Sequence, residues 1–311
     1  MRRIVSCVVA LLPSAVLACG ANAPRLEPWP TSGDGLWWVR AERGDADARN
    51  RGAVSNLLIV RDGRHVWAVG SGPSRAFSAA LDCVVQRTLG QRITDVISPW
   101  PHPEVVLGAT GLPRARHWAH ADVARAMRTQ CARCVIRLRQ RLGAAASDLG
   151  RANAAVRWPA HTMRGSTGQL GPLTWWRVQR APGVPVTLWQ VRRNAVLTAH
   201  GLLWAGEVPD LRDSRIDAMR TATQRLAVIA RGATRLLGEQ GEPAALNEVD
   251  AHLAYWNALD DAVHSAQSRG GDATTMPTAL PGIDASRTSG PTHALNWQRA
   301  WRHAEDEALR P

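Results

Sequence analysis

The stretch DVISPWPHPEVVLGA, Asp95 to Ala109, decides how this chain is read. A β-branched run, Val96 and Ile97, gives way to a tight loop of alternating prolines, and an apolar segment with Gly108 follows. β-Branched residues favour extended backbone and proline cannot donate to a ladder, so a strand is expected to end here. Such a strand hands a cluster of side chains to a site at its carboxyl end. The loop offers only His102 and Glu104, and sets Trp100 and Val105 where further polar groups would be expected. It is either a metal-binding loop or the remains of one.

Outward from this loop the pattern is layered. On the N-terminal side stand a short strand, LWWVRA (Leu36 to Ala41), and a hairpin, SNLLIV and HVWAVG around RDGR. Asp62-Gly63 is a strong hairpin turn signal between runs rich in Val, Ile and Leu. SRAFSAALDCVVQRTLG has helical spacing and Gly90 stops it. On the C-terminal side, Val123 to Leu142 is predicted as a long Arg-studded helix. LTWWRV, VPVTLWQV and AVLTAHGLLW follow as strands, then a helix from Asp213 to Ala230, a strand in TRLLGEQG and a helix from Ala244 to Ser268. Two similar successions of strands and helices predict α/β layers with helices covering the sheet faces.

The ends of the chain are read separately. Arg2 and Arg3 precede an apolar run from Ile4 to Ala18, the pattern of a secretory signal peptide over residues 1–18. VLAC, Val16 to Cys19, resembles a lipoprotein signal with Cys19 acylated, which would tether the protein to a membrane; ordinary cleavage after Ala21 is the alternative. Residues 19–35 are expected to be flexible, 36–268 to form the main domain, 269–292 a disordered Gly/Pro/Ser/Thr linker, and 293–311 a closing helix. Export implies a periplasmic or envelope location and an oxidising compartment. With Cys19 lipidated, Cys83, Cys131 and Cys134 leave one bridge and a spare thiol; with Cys19 unmodified, two bridges are possible. The favoured bridges lie within the Cys131–Cys134 pair or from Cys83 to one of the two.

The formal charge is +12, and all 38 basic residues are Arg, with one Phe, one Tyr and 14 Trp. That is a compositional bias, weak evidence for a partner, and no nucleic acid is expected. Arg125, Arg128, Arg133, Arg137, Arg139 and Arg141 fall on several faces of one predicted helix, which favours solvation; phosphate or lipid-headgroup binding is the minority reading. One Trp of each pair, Trp37-Trp38 and Trp175-Trp176, is expected in the core and one outside. G-x-S-x-G and GxGxxG signatures are absent.

On these motifs and their order the chain resembles the metallo-β-lactamase-fold superfamily, in particular the periplasmic SoxH-like quinoprotein relay system zinc metallohydrolases. The resemblance covers Leu36 to Ser268 and implies an αββα four-layer sandwich. In that family several loops hold one or two zinc ions, and zinc makes hydroxide available near neutral pH to attack a carbonyl or ester. Carried onto this sequence, Trp100 stands for the first His of the metal loop and His102 for the second. Glu104 replaces its Asp and Val105 its third His. Arg180, Gly201 and Gln240 stand for a further His, the bridging Asp and the last His, and Gly70 for the Asp that buttresses the site. The resemblance therefore implies a degenerate hydrolase homologue with no cofactor, acting as a binding or accessory protein, with a PQQ-dependent dehydrogenase system as its partner. The alternative is a working hydrolase with zinc in a rewired site at His102, Glu104 and His200, with Glu239 nearby.

Overall fold

A computed structural model describes residues 19–20, 22–30, 35–151 and 154–309. The expected signal peptide, residues 1–18, lies outside the described residues.

β1 (Glu27–Pro28), β2 (Leu36–Val39), β3 (Leu57–Asp62) and β4 (His65–Val69) pair in antiparallel succession. Asp62 pairs with His65, so the hairpin turns on Gly63 and Arg64; Gly63 takes φ +57°, which glycine adopts without a Cβ penalty. α1 (Arg75–Leu89) is capped by the Ser74 side chain at its start and by left-handed Gly90 at its end. β5 (Asp95–Ser98) runs parallel to β4 and leads into the one-turn α2 (Pro103–Val106). β6 (Arg116–His120), α3 (Ala121–Leu142) and β7 (His161–Met163) complete the seven-stranded first sheet, in chain order. The second sheet has the order β12-β11-β10-β9-β8. Its strands are β8 (Thr167–Leu170), β9 (Leu173–Ala181), β10 (Val184–Val191) and β11 (Val196–Trp204), with β12 (Arg235–Gln240) returning parallel to β11 after α4 (Ile216–Ala230). α5 (Asn247–Ser268), α6 (Ala285–Thr288) and α7 (Pro291–Ala308) end the described chain.

Strand alternation divides the core. Leu58 and Val60 of β3, Trp67 and Val69 of β4, and Trp189 and Val191 of β10 meet between the sheets, with Trp38 and Trp175. Leu57, Ile59, Val66 and Ala68 point the other way, into the cluster that includes Leu81 and Val85 of α1. α4 packs on β9 and β11, and α3 on β6, β7 and β10. The result is the αββα sandwich. As expected, Trp38 and Trp175 are buried while Trp37 and Trp176 are partly exposed.

The structure corrects several expectations at the margins. Residues 19–35 are not wholly loose: Trp29 is buried and β1 pairs with β2. The expected linker, 269–292, is docked: Leu280 is buried, the Trp297 indole donates to the Ala273 carbonyl, and Arg287 makes two hydrogen bonds to Glu248. Its isolated anchors carry no periodicity, so composition alone read it as a linker. The disulfide is Cys19–Cys83, whereas Cys131 and Cys134 are free thiols. A sulfur in a disulfide cannot also carry a lipid thioether, so this bond displaces both the acylated Cys19 and the bridges expected among Cys83, Cys131 and Cys134. β6, β7 and β8 were absent from the expected elements; they are short and polar, as in HTM and TGQL.

Candidate functional site

The loop after β5 is anchored before it presents any side chain. The backbone amide and hydroxyl of Thr187 both donate to the Pro99 carbonyl, at 2.7 and 2.8 Å. Further on, the Ser71 amide donates to the Val105 carbonyl at 2.7 Å and the Gly108 amide to the Gly72 carbonyl at 2.8 Å. A Cβ on Gly108 would lie 1.9 Å from the Ser71 carbonyl oxygen, so this crossing requires glycine.

Trp100, 4% exposed, stacks flat on the imidazole of His102, with ring centroids 4.3 Å apart and planes 4° from parallel. The Arg180 guanidinium lies 5.3 Å from the Trp100 ring centroid, within cation–π range. Arg180 is completely buried on β9, and it donates to the carbonyls of Gly201, Asp210 and Arg212. Burial holds its pKa down to about 10, against the opposing pull of Asp210 and other nearby carboxylates. It is cationic at neutral pH.

Both nitrogens of His102 face charged side chains. Nδ1 is 2.8 Å from the Glu104 carboxylate, and Nε2 is 3.3 Å from an Arg212 nitrogen. Burial opposes ionisation of Glu104, but the neighbouring imidazole and then the Arg212 guanidinium overcome it and hold the carboxyl at about 2. Arg212 also pairs with Asp45 at 2.8 Å and Asp210 at 3.0 Å, and Arg299 of α7 reaches Asp210 at 2.7 Å. Burial raises the Asp210 pKa less than Arg212, Arg180 and Arg299 lower it. The site is thus a chain of polar contacts, Glu104–His102–Arg212–Asp210–Arg299, closed from outside by the C-terminal helix.

The other expected site residues are placed as follows. Val105 is fully buried, and a Cβ on Gly70, at φ +83°, would lie 2.8 Å from its Cγ2. Gly201, at φ +74°, sits under Trp100, where an added Cβ would come 3.1 Å from the indole. Gln240 donates to the Gly44 carbonyl at 3.0 Å. His200 is fully buried, and its Nε2 lies 2.7 Å from the Asn56 carbonyl; a carbonyl only accepts, so Nε2 carries the proton. Glu239 accepts from the Gly201 amide at 2.9 Å and from the Ser55 hydroxyl.

The expected three-residue site is therefore not assembled. His102 and Glu104 meet, but His200 spends Nε2 on backbone, and Glu239 is held by donors of its own. Among the described residues no group of three or more His, Cys, Asp and Glu is arranged to hold a metal ion. Two guanidinium groups, on Arg180 and Arg212, stand where a divalent cation would feel repulsion. The residues present do not fit zinc. Two small cavities of about 40 and 60 Å³ lie beside Trp100, His102, Glu104 and Arg212, the scale of water molecules and not of a substrate. Sequence reasoning missed Arg212, Asp210 and Asp45, since a charge cluster such as VPDLRDS reads as a solvated loop until the fold brings it under α7.

No protein-family model matches the sequence, and no curated protein matches it. Solved structures do. A metallo-β-lactamase from Hirschia baltica superposes with a TM-score of 0.58 at 14% identity, over 75% of this chain and 97% of that one. The FIM-1 metallo-β-lactamase of Pseudomonas aeruginosa in its mono-zinc form gives 0.58 at 13%, over 76% and 95%. A metallo-β-lactamase from Pontibacter korlensis gives 0.57 at 12%, over 75% and 99%. At such identities the likeness speaks for the backbone and not for the chemistry. The chain has the metallo-β-lactamase fold.

Proposed function

We propose that this chain is an exported, catalytically degenerate relative of metallo-β-lactamase-fold hydrolases, kept as a binding or accessory protein of the cell envelope. One observation carries the reading: the stack of His102, Trp100 and Arg180 over Gly201 fills the region where the resemblance sets the metal ligands. The replacements fit one another. Trp in place of the first His needs Gly in place of the bridging Asp, because any Cβ at 201 crowds the indole. A Cβ at 70, where the resemblance sets the buttressing Asp, would likewise crowd Val105 Cγ2 at 2.8 Å and Leu57 Cδ2 at 2.6 Å. An accidental loss of ligands would leave unmatched gaps, whereas this site is packed. The envelope location rests on the leader pattern of residues 1–18, and the link to PQQ-dependent dehydrogenases rests on the SoxH-like resemblance alone.

The test is metal content after purification without chelator, for the wild type and His102→Ala, with lactam and ester turnover. The expectation is zinc well below one equivalent, unchanged in the variant, and no turnover. Stoichiometric zinc lost in His102→Ala, together with hydrolysis, would establish the rewired metallohydrolase instead.

A further inference from the structure

Charge is sorted between the helices. α3 carries six Arg and a single acid, Asp122, in 22 residues. α5, also of 22 residues, carries no Arg and four acids: Glu248, Asp250, Asp260 and Asp261. A bias toward Arg in the composition acts on the whole chain alike and does not explain this difference. α3 packs on β6 and β7 of the first sheet and on β10 of the second, and α5 on β11 and on the helices α4 and α7.

The α3 arginines keep the expected spread around the helix, and all but one of them are solvated. Arg139 alone turns inward, donating to the Gly150 carbonyl. Arg125, Arg128, Arg133, Arg137 and Arg141 are all exposed, along a helix about 33 Å long. Arg125 is bound to Asp122, and Arg141 stands 4.0 Å from Asp45. Arg128, Arg133 and Arg137 have no carboxylate within 4.0 Å among the described residues. The acids bordering these arginines are Asp122, already held by Arg125 and Arg177, Asp45, held by Arg212, and Asp213 and the buried Glu104 in the cavity beside Arg137. Between Arg133 and Arg137 lies Ile136, 57% exposed.

We propose that the outer face of α3 docks on an anionic lipid surface. The three free guanidinium groups match phosphate headgroups, and Ile136 supplies the aliphatic contact that an interfacial helix sinks among them. A bilayer offers mobile anions along the whole row; an acidic protein would need carboxylates set in register with it and a pocket for Ile136. This inference is independent of whether the buried site binds metal.

The experiment is co-sedimentation of the full chain with vesicles of phosphatidylcholine alone or with phosphatidylglycerol. Arg128→Gln/Arg133→Gln/Arg137→Gln is compared with Arg64→Gln/Arg225→Gln/Arg231→Gln, which removes the same charge from exposed positions elsewhere. Binding is expected only with phosphatidylglycerol, and is expected to fall as salt shortens the Debye length from about 10 to about 3 Å. Each guanidinium near such a surface is worth about fivefold, so the α3 triple should weaken binding roughly 100-fold and the control triple far less. Equal losses in the two triples, equal binding to phosphatidylcholine, or no vesicle binding would each overturn the proposal. So would retention on an acidic protein matrix with no affinity for vesicles. Both triples should keep the wild-type circular dichroism, since these side chains are exposed.

Discussion

Adding one carbon to Gly201 tests whether the site is filled by mutually fitted residues. In Gly201→Ala the new Cβ would lie 3.1 and 3.2 Å from two indole atoms of Trp100 and 3.2 Å from Val186 Cγ1, at φ +74°. The left-handed backbone costs an L-residue about 1–2 kcal/mol. Crowding a ring already held between His102 and Arg180 costs about 1–3 kcal/mol more. The expected destabilisation is about 2–5 kcal/mol, which at about 2–4 °C per kcal/mol lowers Tm by about 4–20 °C. Trp100→Ala alone leaves a void, at about 3–5 kcal/mol. In the double variant the backbone cost and the void remain while the clash with the indole is gone. Its destabilisation should therefore fall short of the sum by about 1–3 kcal/mol. Urea unfolding followed by far-ultraviolet circular dichroism measures all four corners of this cycle. Additivity within about 0.5 kcal/mol would refute the claim that Trp100 and Gly201 fit each other.

Further outcomes follow from the same structure. Burial holds His117 at about 3, with Arg157 adding to it, and holds His252 at about 4, with Glu248 opposing; both have an ordinary value of 6.5. The unfolded chain then takes up protons that the folded one refuses, so their contribution is complete above pH 6.5 and is lost as pH falls, toward 4 for His252 and toward 3 for His117. His252→Gln keeps an acceptor for the Trp204 amide and should make the decline of Tm with acid shallower; an unchanged slope counts against the assignment. Peptide mapping without reductant should recover Cys19 joined to Cys83, and Cys131, buried with its thiol pushed up to about 12, should resist alkylation in the folded state. Recovery of Cys19 as a lipid thioether would reverse that conclusion. Asn296 accepts from the Leu211 amide and donates to the Pro209 carbonyl and the Tyr255 hydroxyl, so Asn296→Ala should cost about 2–4 kcal/mol and speed hydrogen exchange across residues 207–215. Unaltered exchange there would mean that α7 does not hold the loop bearing Asp210 and Arg212.

What the chain's own order of residues determines here is the part governed by local rules. Alternation in SNLLIV and HVWAVG, the helical spacing before Gly90, and the proline loop after Ile97 each set an element through neighbours a few residues away. They sufficed for the αββα layering; that Trp100, Val105, Arg180 and Gly201 stand at ligand positions is what the family resemblance implies. Weakly patterned stretches were not legible in this way: β7 and β8 are strands because partners lie beside them, and residues 269–292 are held by single contacts from Leu280, Arg287 and Trp297.

The tertiary structure alone decided what these positions contact. Nothing local tells His102 that Arg212, 110 residues later, faces its Nε2, or that Glu239 takes up the Gly201 amide and leaves His200 to the Asn56 carbonyl. Nor does spacing reveal that Cys19 reaches Cys83 across 64 residues while Cys131 points into the core. These pairings depend on where distant segments come to rest. Charge and hydrogen bonding act through distance in space, and a linear order of residues does not contain that distance until the fold supplies it.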